Sequence, residues 1–383
     1  MYRIEQLHKG NLPELLEFLN GAFTGNPHSD FFETKLPKLW VDDDVHMEKH
    51  HVIREQGSII ASVGIYPFEV EIAGKTFRFA TVGNMGTAES ARGKGCMAAL
   101  YEYANRVLRE QGIDVARLGG KRSRYARFGY EVCGSMYRFD LRLHNAKEFL
   151  SAGGEELTLK PLTAEDTAAL HQVRRLYTEN GIFAHRGDDR ELDLTMRFSH
   201  NVPYVALRDG SVVGYFTLGE HGICEASADS PDLLANMLCR AVLEQGKDMT
   251  VHLPPDRTAD VAALAAFCEK MNVEAASHYK ILNWAAVTEA AMSLRASRIA
   301  PLADGELMLE IVGHCTVCLK AEGGVGTCTV TDKPADLSLM ELEASRFLFG
   351  PLPPFVASLS PEKARFAAAN LPLPFYTLAH DKA

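Results

Sequence analysis

Hydrophobic and polar positions change period several times along the chain, and each change marks an element. Tyr2 to Leu7 reads as a short strand. A helix follows from about Asn11, with Asn11 as its cap, Pro13 in the first turn and Glu14 where a capping-box acid belongs. His51 to Glu55 is strand-like, Gln56-Gly57 turns the chain, and Ser58 to Ile72 is a long strand. Ala73-Gly74-Lys75 turns it again, and Thr76 to Thr87 returns. The period then becomes helical: between Gly93 and Gln111, the positions Met97, Leu100, Tyr101, Ala104, Val107 and Leu108 share one face, and Gly112 stops the helix. Val115 to Leu118 is a short buried strand. A glycine- and arginine-rich loop leads to Tyr125-Ala126-Arg127-Phe128-Gly129-Tyr130, and a last strand runs from about Met136 to Leu143.

Residues 146–156, with Ser151-Ala152-Gly153-Gly154 in the middle, predict a linker. The grammar then repeats without the sequence. Leu157 to Lys160 is a strand, and a helix starts at Thr163 with Asp166 in the capping-box position. Tyr204–Arg208 and Ser211–Leu218 form a hairpin about Asp209-Gly210. A helix opens at Pro231 after Asp229 and Ser230; the strand Met249–Leu253 and a helix from about Ala259 to Met271 follow. From Trp284 the pattern is a helix, a strand over 306–320, a hairpin about Gly323-Gly324 and helices near Met340–Phe349 and Pro361–Leu371. An extended tail punctuated by Pro372 and Pro374 ends the chain. The expectation is an α/β chain with regions 1–146, 155–284 and 285–383.

Composition narrows the class. Apolar residues at 46% and charged residues at 23% are those of a globular protein and exclude a disordered chain. The 40 Lys and Arg against 50 Asp and Glu leave a net charge of −10. That balance disfavours nucleic acid and anionic membrane as partners and favours a cationic small molecule. No stretch is apolar for long enough to span a bilayer, and Met1-Tyr2-Arg3-Ile4-Glu5 has no signal core, so a cytoplasmic location is expected.

Metal is not expected. Cys315-Thr316-Val317-Cys318 looks like half a zinc site, but on a strand side chains three apart point to opposite faces, and no second such pair occurs. His46 and His50 stand at i, i+4 beside Asp42-Asp43-Asp44. The pattern is not H-E-x-x-H and runs into a strand, so it reads as a solvated edge.

The chemistry concentrates in Met85-Gly86-Thr87-Ala88-Glu89-Ser90-Ala91-Arg92-Gly93-Lys94-Gly95-Cys96-Met97, where a strand ends and a glycine-rich turn opens an amphipathic helix. Helix N-termini carry unpartnered N–H groups and the positive end of the dipole, so a diphosphate fits there. Arg92 and Lys94 add charge. The Walker pattern G-x-x-x-x-G-K-[ST] is absent. The G-x-G-x-x-G/A fingerprint is formally met by Gly93, Gly95 and Ala98, but it needs a parallel βαβ unit, whereas antiparallel hairpins precede this loop. The coenzyme A pyrophosphate loop of the GNAT N-acetyltransferases, R/Q-x-x-G-x-G/A, fits the order of elements. Arg92 and Gly95 match it and Met97 departs from it.

Arg92-Gly93-Lys94-Gly95-Cys96-Met97 together with Arg124-Tyr125-Ala126-Arg127-Phe128-Gly129-Tyr130 resembles the enhanced-intracellular-survival (Eis) type of GNAT acetyltransferase. The resemblance implies two tandem GNAT-like mixed-sheet domains, the second without a working cofactor loop, and a small sterol-carrier-protein-like α+β domain. In the second region Gly219-Glu220-His221-Gly222-Ile223-Cys224-Glu225, expected at the loop position, is acidic and lacks the R-x-x-G-x pattern. The resemblance further implies an acyltransferase that moves acetyl from acetyl-CoA to a primary amine of a cationic small molecule or a lysine side chain, and a homo-oligomer. Main-chain groups of Met85, Gly86 and Thr87 would meet the pantetheine arm. Gly93, Lys94, Gly95, Cys96, Met97 and Ala98, with Arg92 beside them, would hold the pyrophosphate. Tyr125 would protonate the leaving thiolate, which suits a phenol that stays protonated at neutral pH. The base would be the terminal carboxylate of Ala383, with Asp381 as its substitute. The alternative is a non-catalytic binder of acetyl-CoA or of a lipid.

Overall fold

The computed structural model describes residues 2–220 and 222–382. Short strands β1 (Ile4–Gln6) and β2 (His50–Glu55) precede β3 (Ser58–Ile72) and β4 (Lys75–Thr87), whose alternation makes an antiparallel hairpin of 15- and 13-residue strands. β5 (Val115–Leu118) and β6 (Glu131–Cys133) follow, then β7 (Met136–Leu141), β8 (Thr158–Pro161), β9 (Ile182–Ala184), β10 (Val202–Arg208), β11 (Ser211–Gly219), β12 (Gly222–Ala228), β13 (Met249–Leu253), β14 (Lys270–Glu274) and β15 (Ser277–Ile281). The last four are β16 (Gly305–Ile311), β17 (Cys315–Glu322), β18 (Val325–Val330) and β19 (Leu337–Leu339). The fold is mixed α/β with three sheets: β1-β2-β3-β4-β5-β15-β6 with β9 added along β3, β14-β7-β13-β12-β11-β10-β8, and β18-β17-β16-β19.

The first two sheets trade strands. β7 lies between β14 and β13, and β15 lies between β5 and β6. The chain crosses out of the first sheet at Gly134, whose φ of +71° suits glycine. A Cβ there would come within 2.4 Å of the Phe375 carbonyl oxygen, because the C-terminal tail passes directly behind. Helix Cys96–Glu110 buries Leu100, Tyr101, Ala104 and Leu108 against β3 and β4, as the helical period required. No described helix is long and apolar enough to cross a membrane.

Several local expectations change. The 146–156 linker is in its first half the end of helix Leu143–Ser151. The strand expected over 306–320 is two strands, β16 and β17, joined by a turn that contains Gly313 at φ +81°. Cys315 faces the core with Val317 and Leu319, while Cys318 takes the other face. The helix expected to reach Met271 stops at Ala265, and residues 270–274 become the edge strand β14. Asn11 does not cap its helix; its Oδ1 accepts the His8 N–H instead, and Glu14 pairs with Arg54. Asp166 is itself the cap of helix Thr167–Thr178, accepting the Ala169 N–H at 3.1 Å. The hairpin about Asp209-Gly210 is as expected, with both residues left-handed at φ +50° and +79°.

Two adjacent histidines on β2 set part of the acid response. Burial lowers His50 to about 3 and His51 to about 4, from a usual 6.5. Between these values the unfolded chain binds protons that the folded chain refuses, so stability falls as pH drops from about 6.5 and this loss is complete near pH 3. Asp256, raised by burial to about 6, works in the opposite sense as pH falls through 6. The expected net result is a lower urea midpoint at pH 5 than at pH 7. His51→Gln should flatten that drop; an unchanged slope would remove His51 from the account.

Candidate active site

β4 and β5 run parallel but pair only at Phe79–Val115, Ala80–Ala116 and Thr81–Arg117. β4 continues to Thr87 beside β3 alone, so the edge of residues 82–87 opens onto a gap. The backbone is irregular there: the β3–β4 register slips opposite Ser62–Gly64, Asn84 sits at φ +49°, and the Ser62 hydroxyl donates to the Asn84 carbonyl at 2.9 Å. Met85, Gly86 and Thr87 lie on this stretch. Gly86 is where helix Leu12–Thr24 approaches; a Cβ would come within 3.0 Å of the Phe18 ring.

A 3-10 turn, Glu89–Ala91, carries the chain from β4 to Arg92–Gly95 and into helix Cys96–Glu110. Gly93 and Gly95 are left-handed at φ +77° and +85°, and nothing lies within 4 Å of a Cβ built on either. The backbone conformation demands these glycines, and the space before them is open. The helical ladder begins with Ala99 N–H to Gly95 carbonyl at 3.1 Å, so the N–H groups of Cys96, Met97 and Ala98 precede it. Cys96 turns its thiol into the core, and Met97 and Ala98 are half-buried. Among the described residues, the exposed Arg92 and Lys94 make only long ion pairs, 3.7 Å to Glu89 and 3.7 Å to Glu55. The Tyr2 hydroxyl donates to the Lys94 carbonyl at 2.8 Å and steadies the turn. The arrangement is an anion cradle at the mouth of the β4–β5 gap.

Tyr125 ends the short helix Arg122–Tyr125 and is half-buried, with its ring 5.5 Å from that of Tyr101 on the helix the cradle opens. Burial, with Tyr125 and Tyr130 close by, raises the Tyr101 hydroxyl far above its usual range. Gly120 makes room for Tyr125: a Cβ would lie 2.4 Å from the ring. Phe128 stacks on Tyr101 at 4.4 Å, so the aromatic block and the cradle helix are one packed unit.

The tail reaches the same region. Arg117 of β5, fully buried, donates to the Leu378 carbonyl at 3.0 Å, and the Tyr279 hydroxyl of β15 meets Thr377 at 3.0 Å. Ala383 lies outside the described residues. Asp381 is locked: it accepts from Arg186 at 2.8 Å and from the Tyr177 hydroxyl at 3.2 Å, while Arg186 also holds Glu225 through two bonds of 3.0 and 2.8 Å. Burial opposes ionisation of Glu225, but Arg186 and His380 keep its carboxyl well below the usual range. Both Asp381 oxygens are thus engaged, and the residue anchors the tail.

Asp381 also borders a cavity of about 550 Å³ walled by Lys38, Lys49, Tyr66, Arg186 and Arg190. Tyr66 joins it to the gap, since its hydroxyl accepts from Asn84 Nδ2 at 2.5 Å. Its ring folds back over Gly64, where a Cβ would collide with it. Sequence reasoning missed Tyr66, Arg117 and Arg186. Only the run of glycines flanking Tyr66 in β3 and β4 hinted that a ring lies flat there.

In the second region the expected loop position is corrected. Gly219 ends β11 and Gly222 to Glu225 belong to β12, so the segment between strand and helix is only Asp229-Ser230. Ser230 caps helix Pro231–Gln245 by accepting the Leu233 N–H at 3.2 Å, Pro231 has no N–H to offer, and Asp229 pairs with Arg175 at 2.6 Å. This helix start is closed by its own chain. Titration calorimetry should therefore count one acetyl-CoA per chain; two equivalent sites would contradict the assignment.

The cradle, the unpaired end of β4 and the aromatic block all lie within residues 82–130. Residues 3–133 match the acetyltransferase (GNAT) domain family. Solved structures similar to the whole chain include a GCN5-related N-acetyltransferase from Anabaena variabilis, at 15% identity, TM-score 0.70 and coverage of 98% of this chain and 99% of that one. Another from Kribbella flavida shares 17% identity at TM-score 0.65, covering 98% and 97%. Eis1 from Mycobacterium abscessus shares 16% at TM-score 0.64, covering 98% and 99%. At these identities the likeness is one of fold. No curated protein matches the chain in sequence.

Proposed function

We propose that the chain transfers acetyl from acetyl-CoA to a primary amine, on a small molecule or a lysine side chain. One observation carries the reading: an open, left-handed glycine turn at a helix N-terminus, following the stretch of β4 that runs on beyond its parallel pairing with β5. In this reading Arg92 to Ala98 hold the pyrophosphate, and Met85, Gly86 and Thr87 guide the pantetheine arm into the gap. The amine arrives as an ammonium, which the net charge of −10 favours at long range, and must lose a proton before attack. The carboxylate of Ala383 takes that proton. Main-chain N–H groups near Met85–Thr87 steady the oxyanion, and Tyr125 protonates the thiolate as the tetrahedral intermediate collapses. The third region, sterol-carrier-protein-like by resemblance, serves to hold the tail.

The test is thiol release from acetyl-CoA against a panel of amines. Acetyl-CoA binding without release for any amine would favour the non-catalytic alternative. Extending the chain a few residues beyond Ala383 keeps every side chain but moves the carboxylate. Turnover should collapse with acetyl-CoA affinity preserved, and full activity would transfer the base's role to another group.

A further inference from the structure

The cavity beside the gap carries an imbalance of satisfied and unsatisfied charge. Its acids are all engaged by the chain itself. Asp43 accepts from the backbone and ring of His46, each at 2.8 Å; Asp188 caps helix Asp189–Met196 through the Glu191 N–H at 2.9 Å. Glu191 faces Lys38 at 3.8 Å, and Asp381 is held by Arg186. Among the cations, Arg186 is saturated by two carboxylates and His185 sits between Glu69 and Glu71. Lys49 and Arg190 have no ion-pair partner among the described residues, and both line the cavity. Lys49 is half-buried, on the segment that leads into β2, and Arg190 is exposed, on helix Asp189–Met196.

An ammonium taken partly out of water with no acid in direct contact is unfavourable, and an oxyanion brought by a ligand relieves it. Burial lowers both Lys38 and Lys49 from their usual range, although Glu191 acts on each in the opposite direction, with Asp381 for Lys38 and Asp43 for Lys49.

We infer that the acceptor carries, besides its amine, an oxyanion group — a carboxylate or a phosphate ester — received by Lys49 and Arg190. This rests on the acetyl-transfer reading, through the link from the cavity to the gap at Tyr66 and Asn84. It sets polycations without an acid among the poorer acceptors.

The test uses matched pairs: lysine against cadaverine for the carboxylate, O-phosphoethanolamine against ethanolamine for the phosphate, and spermidine as a polycation. In one pair at least, kcat/KM should favour the acid-bearing member by tenfold or more, and Lys49→Ala with Arg190→Ala should raise its KM about tenfold while acetyl-CoA affinity holds. Preference for cadaverine, ethanolamine or spermidine, or a preference for the acid that survives in the double variant, overturns the inference. A calorimetric arm on the coenzyme A-saturated protein separates this from the fate of the transfer reading. Binding of lysine or O-phosphoethanolamine that disappears in the double variant upholds the oxyanion site even if no amine is acetylated; binding of neither overturns it even if another amine is acetylated.

Discussion

Gly95→Glu is expected to abolish measurable acetyl-CoA binding while leaving the fold intact. The left-handed φ of +85° at Gly95 is strained for any L-residue by roughly 1–2 kcal/mol. Nothing stands within 4 Å of the new Cβ, so no packing is lost and the melting temperature should move by only a few degrees. The added carboxylate stands at the start of the cradle, before the N–H groups of Cys96 to Ala98, where it competes with the pyrophosphate and repels it. A loss of affinity of at least about a hundredfold, near 2.8 kcal/mol, is the expected calorimetric result. Gly95→Ala separates the two effects, since it adds strain without charge and should weaken binding far less. Unchanged affinity in the glutamate variant would remove the cradle from the cofactor site.

Tyr125→Phe should lower the rate by about 10²–10⁴ with acetyl-CoA affinity nearly unchanged, the signature of a lost proton donor. Phenylalanine keeps the ring against Tyr101 and over Gly120, so the aromatic unit stays packed. Steady-state turnover on the best acceptor, with binding measured separately, reads the two quantities apart. A rate within a few-fold of the parent would leave the leaving-group proton to another donor.

Much of this was legible in residues 58–130, because local pattern dictates it. The β3–β4 hairpin, the glycine turn and the helix after it follow from alternation, from left-handed glycines and from helical period. What the pattern could not show was partnership. The strand from Met136 was legible and Ser277–Ile281 was not, and period says nothing of which sheet receives a strand: each joins the other sheet. Tyr66 and Arg186 belong to no motif, and their importance comes from neighbours more than 15 residues away: Asn84 for Tyr66, Glu225 and Asp381 for Arg186. The acidic stretch at 219–225 is the wrong chemistry for a phosphate loop. Its Glu225 instead supplies a buried ion pair that fastens the tail.

The traded strands bear on how this chain is made and how it can be inherited. β5 and β6 meet only through β15, which the ribosome delivers well over a hundred residues after β6. Until then the first sheet has two raw edges in its middle, and the nascent chain must keep them from pairing elsewhere. The tail that backs Gly134 and Arg117 arrives later still. The N-terminal unit is therefore no movable cassette. Recombination that cuts after residue 146 would carry away the glycine cradle without the strand that closes its sheet, so the two halves are bound to travel, and to change, as one gene.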